Sequence, residues 1–220
     1  MSFLQLASGA SYGLVGDRPV FLDLRRDRYF ALDAATEADF LALRSAEEPV
    51  LAAGPARDRL LATGLFREHA LRARLAPVPV PVPAESLLDT PGPRGGWASL
   101  PRVWSSLARA RQRLAAVSLF DIVEDLRERR HAGMPAGEPT RAEDAARGFL
   151  AARPLVPVAR SCLLDSLALL DWLGDQAGHA RLVFGVRLDP FGAHCWLQTG
   201  RVLLTDAPDT ANRFAPVLAV

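Results

Sequence analysis

The chain has 220 residues, half of them hydrophobic, which is enough for one sizeable core or two small ones. Its 26 Lys and Arg nearly balance 25 Asp and Glu, and the net charge of +1 argues against a nucleic-acid-binding protein, which would carry a basic stripe. No segment approaches the about 20 apolar residues that cross a bilayer, the N-terminus does not predict a signal peptide, and two cysteines do not form a disulfide framework. The sequence therefore predicts a cytoplasmic protein with reduced thiols, no membrane span and no nucleic-acid partner.

The first part of the chain reads as a small sheet with helices. Three short apolar segments bounded by turn residues predict strands, and they cover residues 12–15, 20–24 and 28–32. Two helices follow, one over residues 36–46 and a shorter one that begins at Pro55 and stops before Gly64. Such a unit has an exposed sheet edge.

A proline-rich segment then divides the sequence. Between Pro77 and Gly96 it contains six prolines and three glycines, a composition typical of an extended, semi-rigid linker. We therefore predict a first domain over residues 1–76, a linker over 77–101 and a second domain over 102–220.

The second domain is predicted to begin with helices and to end in a sheet. The helical patterns cover residues 103–117, 119–130, 141–151 and 161–173. Three strand patterns close the chain, over residues 181–187, 193–198 and 202–206. The fold class predicted for the whole chain is therefore α+β, with a cysteine-bearing helix leading into an antiparallel sheet.

Cys162 lies at the first turn of its predicted helix. Unpaired N–H groups and a partial positive charge at a helix N-terminus favour thiolate over thiol, and Arg160 adds a second positive charge nearby. Taken alone, the residue is more typical of an inert, buried cysteine, because free cysteines are commonly buried.

His194 and Asp206 change that interpretation. If Gly200 centres a hairpin turn, His194 faces Asp206 across an antiparallel pair, with Cβ atoms about 4.5–5.5 Å apart. Asp206 would then fix the tautomer of the imidazole, and the other ring nitrogen would take a proton from Cys162. A one-residue change of register would remove this juxtaposition. The prediction is a catalytic triad of Cys162, His194 and Asp206.

Two alternatives use the second cysteine. A zinc site built from Cys162, His194 and Cys195 is disfavoured, because adjacent strand residues point to opposite faces. A disulfide between Cys162 and Cys195 is conceivable, but a reducing compartment opposes it. We therefore predict no metal and no cofactor.

The region 161–216 resembles the transglutaminase-like cysteine peptidases of lasso-peptide biosynthesis, the B maturation proteins. The matching text is SCLLDSLALLDWL, then LVFGV, then FGAHCWLQTGRVLLTD. The resemblance implies a papain/transglutaminase-like domain and assigns the family's Cys, His and Asp to Cys162, His194 and Asp206, in the same order. The sequence departs from the family at Cys195, where Ala is frequent, and at Gln198, where Glu is frequent.

The first domain resembles PqqD-like leader-recognition domains, which are small winged-helix-like folds, through the text VFLDLRRDRYFALDAATEADFLAL. In that family the leader of a precursor peptide adds as a strand to the sheet edge, so that main-chain hydrogen bonds give affinity. By this resemblance the leader would be received by the strand of Arg28, Tyr29, Phe30, Ala31 and Leu32 and by the helix around Arg57 to Thr63. For Phe30 and Leu32, packing in the core is the alternative.

Together the two resemblances imply a cysteine peptidase that binds the leader of a lasso-peptide precursor and cleaves it from the core peptide. The partners implied are the precursor peptide and an asparagine-synthetase-like, ATP-dependent lasso cyclase that closes the ring afterwards. The alternative is a non-catalytic adaptor that binds the precursor and presents it to the cyclase.

Overall fold

The computed structural model describes residues 3–45, 54–71, 75–89, 96–131, 133 and 138–220. The chain divides into two compact units, one of Met1–Pro79 with Pro216–Leu218 and one of Val80–Ala215 with Ala219–Val220. Strands and helices come first, then a helical region and a mostly antiparallel sheet, which confirms the predicted α+β class. Among the described residues, no helix is both long enough and apolar enough to cross a membrane.

The first unit combines a three-stranded meander, a two-stranded sheet and two helices. The elements are β1 (Phe3–Leu6), β2 (Ala10–Val15), β3 (Arg18–Asp23), β4 (Arg28–Ala31), α1 (Ala34–Ser45), α2 (Pro55–Ala62) and β5 (Phe66–His69). The meander has the order β2-β3-β4, so β4 is an edge strand, and β1 pairs with β5. The β1–β5 pair was not predicted, because both strands are only four residues long and lie far apart in sequence.

Local chemistry explains where these elements begin and what they bury. Gly16 has φ of +61°, which allows the two-residue turn between β2 and β3. Asp33 caps α1, since its carboxylate accepts from the Thr36 hydroxyl at 2.7 Å and from the Thr36 backbone N–H at 3.1 Å. The core is aromatic: the Phe40 ring lies 4.9 Å from that of Tyr12 and 5.0 Å from that of Phe21.

The second unit places helices before a five-stranded sheet. Its elements are β6 (Glu85–Ser86), α3 (Leu100–Ala116), α4 (Leu119–His131), α5 (Pro139–Ala152), α6 (Cys162–Leu173), β7 (Arg181–Arg187), β8 (Gly192–Thr199), β9 (Val202–Leu203), α7 (Pro208–Ala211) and β10 (Ala215–Ala219), of which Pro216–Leu218 counts with the first unit. The sheet order is β10-β7-β8-β9-β6. Strand β8 pairs antiparallel with both β7 and β9, whereas β6 runs parallel to β9.

Helix α6 is the most buried helix of the second unit and contacts α3, α5 and β8. Its Trp172 donates an indole hydrogen bond to Ala145 O in α5 at 2.8 Å, and the Arg102 guanidinium of α3 lies 4.1 Å from the Trp172 ring centroid. Arg109 of α3 forms a two-pronged ion pair with Asp171. These contacts fix the helix that begins at Cys162.

The proline-rich segment 77–101 differs from a simple linker in its described residues. The proline alternation ends at Pro83, and the residues that follow have free N–H groups that pair with the sheet. Ala84 N donates to Arg201 O and Leu87 N to Leu203 O, both at 3.0 Å. A 3-10 turn, Gly96–Ser99, then leads into α3. This segment therefore supplies the β6 edge of the sheet.

Candidate active site

Cys162 is the first residue of α6 and its side chain is exposed. The first hydrogen bond of the helix runs from Asp165 N to Ser161 O at 2.9 Å. The N–H groups of Cys162 and of the two residues after it therefore have no partner inside the helix. Sulfur and free backbone donors lie together at an accessible helix end.

A buried arginine holds the segment that leads to Cys162. Arg153, 2% exposed, donates to the Asp165 carboxylate at 2.8 Å and to the carbonyls of Val156, Val158 and Ala159 at 3.0–3.4 Å. Asp165 is itself in the first turn of α6, so the guanidinium ties the loop to the helix. Our sequence analysis missed Arg153; its signal was an arginine in the otherwise apolar text FLAARPLVPV.

The predicted hairpin register is wrong by one residue. The observed pairs are Gln198 with Leu203 and Thr199 with Val202, so the turn is Gly200-Arg201, with Gly200 at φ of +54°. Continued regularly, this register would place His194 opposite Ala207 rather than Asp206.

Asp206 nevertheless reaches His194, because the strand leaves the ladder before that point. Leu204 N still donates to Leu197 O at 2.8 Å, but Leu197 N donates to the Thr205 side-chain oxygen at 2.9 Å instead of to a backbone carbonyl. In the residue after Thr205, the carboxylate oxygen Oδ2 of Asp206 hydrogen-bonds His194 Nε2. Its other oxygen, Oδ1, accepts from Ala207 N at 2.8 Å.

Aromatic rings pack around the imidazole of His194. The ring centroid of Phe214 lies 5.2 Å away and that of Trp196 lies 6.1 Å away. Gly185 pairs with His194 across the β7–β8 ladder, and a Cβ at Gly185 would lie 2.8 Å from Trp196 and 2.9 Å from Phe214. Sequence reasoning missed this glycine, although a glycine inside a strand frequently marks a close approach of another group.

Hydrogen bonding lowers the pKa of Cys162 and raises the pKa of His194. The pKa of Cys162 falls to about 4, because hydrogen bonds from the side chains of Cys195 and His194 outweigh its partial burial. The pKa of His194 rises to about 9, through its hydrogen bonds to Asp206 and then to Cys162. Since Asp206 occupies Nε2, Nδ1 is the nitrogen left for the sulfur. At a pH between these two pKa values, Cys162 is a thiolate and His194 is an imidazolium.

Cys195 is a hydrogen-bond donor to Cys162. Its hydrogen bond to Cys162 and its burial both raise the pKa of the Cys195 thiol, so it stays protonated where Cys162 is ionised. Although Cys195 follows His194 directly in β8, both residues interact with Cys162, contrary to what strict alternation of faces predicts. Both cysteines are free thiols, and the described residues contain no group of three or more His, Cys, Asp or Glu side chains arranged to hold a metal.

The side chain of Gln198 forms hydrogen bonds that hold the hairpin together. Its buried amide nitrogen donates to Pro81 O at 3.0 Å and Gly200 O at 2.7 Å, while its Oε1 accepts from Trp196 Nε1 at 2.7 Å. An ionised glutamate at this position would lack the two donors. The amide therefore ties together the turn, the proline-rich segment and the Trp196 ring.

The positions predicted to bind a leader lie in the first unit, on or beside edge strand β4. Arg28 and Ala31 are exposed and Tyr29 is half-buried. Phe30 and Leu32 pack against the aromatic core, and Leu32 lies beyond the end of the strand. Core packing therefore accounts for Phe30 and Leu32.

Comparison with known proteins assigns the chain to a family. A stretch of 59 residues is 34% identical to the microcin J25-processing protein McjB of Escherichia coli, and it covers 27% of this chain and 28% of that protein. The match thus spans less than a third of that relative's length. No solved structure gave a significant match. Residues 104–219, just over half of the chain, match the family model described as the transglutaminase-like superfamily, and the chain therefore belongs to that superfamily.

Proposed function

We propose that the protein is a cysteine peptidase that removes the leader from a lasso-peptide precursor. The observation that carries the proposal is the hydrogen-bonded series Asp206–His194–Cys162, which ends at an exposed sulfur on a helix N-terminus. The relative described above is named for processing the peptide microcin J25, and this supports a peptide precursor as the substrate.

In the proposed reaction, the Cys162 thiolate attacks the carbonyl carbon of the peptide bond between leader and core. The backbone N–H of Cys162, which has no partner within α6, is a donor for the oxyanion. The His194 imidazolium gives its proton to the departing amine, which leaves the leader as a thioester on Cys162. Neutral His194 then takes a proton from water, whose oxygen attacks the thioester carbon and expels the Cys162 thiolate. The leader leaves as a carboxylic acid, which loses its proton to solvent, and the thiolate–imidazolium pair is restored.

The first unit is proposed to hold the leader during this reaction. Strand β4 lies at the end of its sheet, and an extended peptide can add to an edge strand through main-chain hydrogen bonds. Of the positions predicted to receive the leader, Arg28 and Ala31 are exposed and Tyr29 is half-buried. The core peptide released with a free amine is then the substrate for ring closure by an ATP-dependent cyclase, which is the proposed partner.

Mass spectrometry of the precursor encoded beside this protein tests the proposal. Wild-type protein, Cys162→Ala and the surface variant Arg111→Ala, at an exposed position of α3, are each incubated with the precursor. We expect an intact leader from wild type and Arg111→Ala, and none from Cys162→Ala. Cleavage by Cys162→Ala at the wild-type rate would exclude the nucleophile. If the proteins bind the leader and none cleaves it, even with the cyclase added, the adaptor function is the correct one.

A further inference from the structure

Strand β6 brings a buried serine against the backbone of Asp206. Ser86, 6% exposed, donates its hydroxyl proton to Asp206 O at 2.6 Å. The same hydroxyl accepts from Leu88 N at 3.0 Å. Both hydrogen-bonding roles of the side chain are therefore used, and one of them is directed at the residue that hydrogen-bonds His194.

Asp206 depends on this contact because it lies outside the regular sheet. The ladder between β8 and β9 ends at Leu203, and Thr205 uses its side chain rather than its carbonyl toward β8. The carbonyl of Asp206 thus has no strand partner, and the Ser86 hydroxyl satisfies it. Since Oδ1 binds Ala207 N within the same turn, the orientation of the carboxylate follows the orientation of this backbone.

Ser86 is itself fixed relative to the strand from which Asp206 departs. It pairs with Leu203 in the parallel β6–β9 register. Glu85 N donates to Arg201 O at 3.3 Å and Leu87 N donates to Leu203 O at 3.0 Å, one on each side of the serine. The hydroxyl is therefore held by backbone pairing.

We propose that Ser86 is a positioning residue of the active site, which fixes the backbone of Asp206 so that its carboxylate faces His194. The inference rests on the proposed peptidase function, but the geometry also makes a claim about His194 that does not require a substrate. Among the described residues, the Ser86 hydroxyl hydrogen-bonds Asp206 and Leu88, so its proposed effect on His194 passes through Asp206.

The titration of His194, followed by NMR of the ring Cε1–H, tests this claim. The chain has four histidines, and the signal of His194 is assigned as the one missing from His194→Gln. Wild type is compared with Ser86→Ala, which removes the hydroxyl, and with Ser86→Thr, which restores one. Ser106→Ala is the matched control, because Ser106 is a buried serine of the second unit that interacts with Arg109 and not with Asp206.

We expect the pKa of His194 to fall by about one unit in Ser86→Ala, because a displaced Asp206 carboxylate would hydrogen-bond the imidazolium less well, and one such hydrogen bond is worth about one unit. Ser86→Thr should recover most of this shift, and Ser106→Ala should leave the titration unchanged. An unchanged His194 pKa in Ser86→Ala, or a shift in Ser86→Thr as large as in Ser86→Ala, would overturn the proposal. Failure of wild type to cleave the precursor would refute the peptidase function alone, because the titration needs no substrate.

Discussion

His194 Nε2 hydrogen-bonds Asp206 Oδ2, although the two residues do not face each other in the β8–β9 ladder. The contact arises because the chain breaks its backbone pairing at Thr205 and turns Asp206 toward the imidazole. A carboxylate held in this way favours the imidazolium, and the imidazolium favours a thiolate at Cys162. The pH dependence of the site therefore follows from the protonation of His194 and Cys162.

Leader cleavage should depend on pH with a bell-shaped profile. The thiolate forms as pH rises through the pKa of Cys162, about 4, so activity rises there. The imidazolium that protonates the leaving amine is lost as pH rises through the pKa of His194, about 9, so activity falls there. The profile of kcat/KM for cleavage measures both limbs, and activity that keeps rising well above the pKa of His194 would contradict the proposed acid.

Replacement of Asp206 by asparagine should move the alkaline limb of that profile to lower pH. The amide gives no negative charge to stabilise the imidazolium, so the pKa of His194 moves back toward its ordinary value. We expect kcat to fall by about 10²–10⁴-fold, the range for a misplaced general acid–base group. Asp209→Asn, at an exposed position in α7, is the control and should cleave at the wild-type rate. An Asp206→Asn enzyme with wild-type kcat would show that Asp206 has no part in the reaction.

Removal of the Cys195 thiol should raise the pKa of Cys162. The hydrogen bond from Cys195 is the largest influence that lowers this pKa, so Cys195→Ala should need a higher pH to form the thiolate. The rate of iodoacetamide labelling as a function of pH gives the value. Trypsin separates the two cysteines in the wild-type control, because Arg181 and Arg187 lie between them, and Cys162 should label much faster than Cys195. Equal, slow labelling would indicate an unreactive scaffold.

Loss of the buried Arg153 should destabilise the second unit. Arg153→Met leaves the Asp165 carboxylate and three carbonyls without their donor, and we expect a loss of about 3–5 kcal/mol. All four tryptophans lie in this unit, so the change in their fluorescence during urea unfolding reports on it. Arg160→Ala, at an exposed position, should change stability by less than about 0.5 kcal/mol. An Arg153→Met protein as stable as wild type would show that the loop before Cys162 does not depend on the guanidinium.

Substitution of Gly185 by alanine should disturb His194 through its neighbours. The added methyl group would meet Trp196 and Phe214 at less than 3 Å, and overpacking of this kind costs about 1–3 kcal/mol. We expect lower stability together with a lower rate of cleavage. Gly192→Ala is the matched control on the paired strand, because the nearest atom there is the movable Nε of Arg187 at 3.0 Å. Equal effects of the two substitutions would refute a specific role for the Gly185 contact.

The course of the chain was largely predictable where the causes are local. Helix α6 begins within one residue of its predicted start, because a long apolar run follows Ser161, and β7 has the predicted bounds. The β9 register was not predictable, since it depends on a two-residue turn and on the Thr205 side chain replacing a carbonyl. The contacts of Ser86 with Asp206 and of Gln198 with Pro81 join residues more than a hundred positions apart, which no local pattern encodes. The catalytic roles of Cys162, His194 and Asp206 stay predictions until the assays above are made.

The position of β6 also limits where a division of the gene into two could separate the two proposed activities, leader binding and peptide cleavage. A polypeptide that starts at α3 keeps Cys162 and His194 but loses Ser86 and the carbonyl of Pro81, so that Asp206 O and the Gln198 amide lose partners they have in the full chain. One that starts near Pro79, where the two units divide, keeps both contacts. We therefore expect a split pair of proteins to retain the end of the proline-rich segment on the half that contains Cys162.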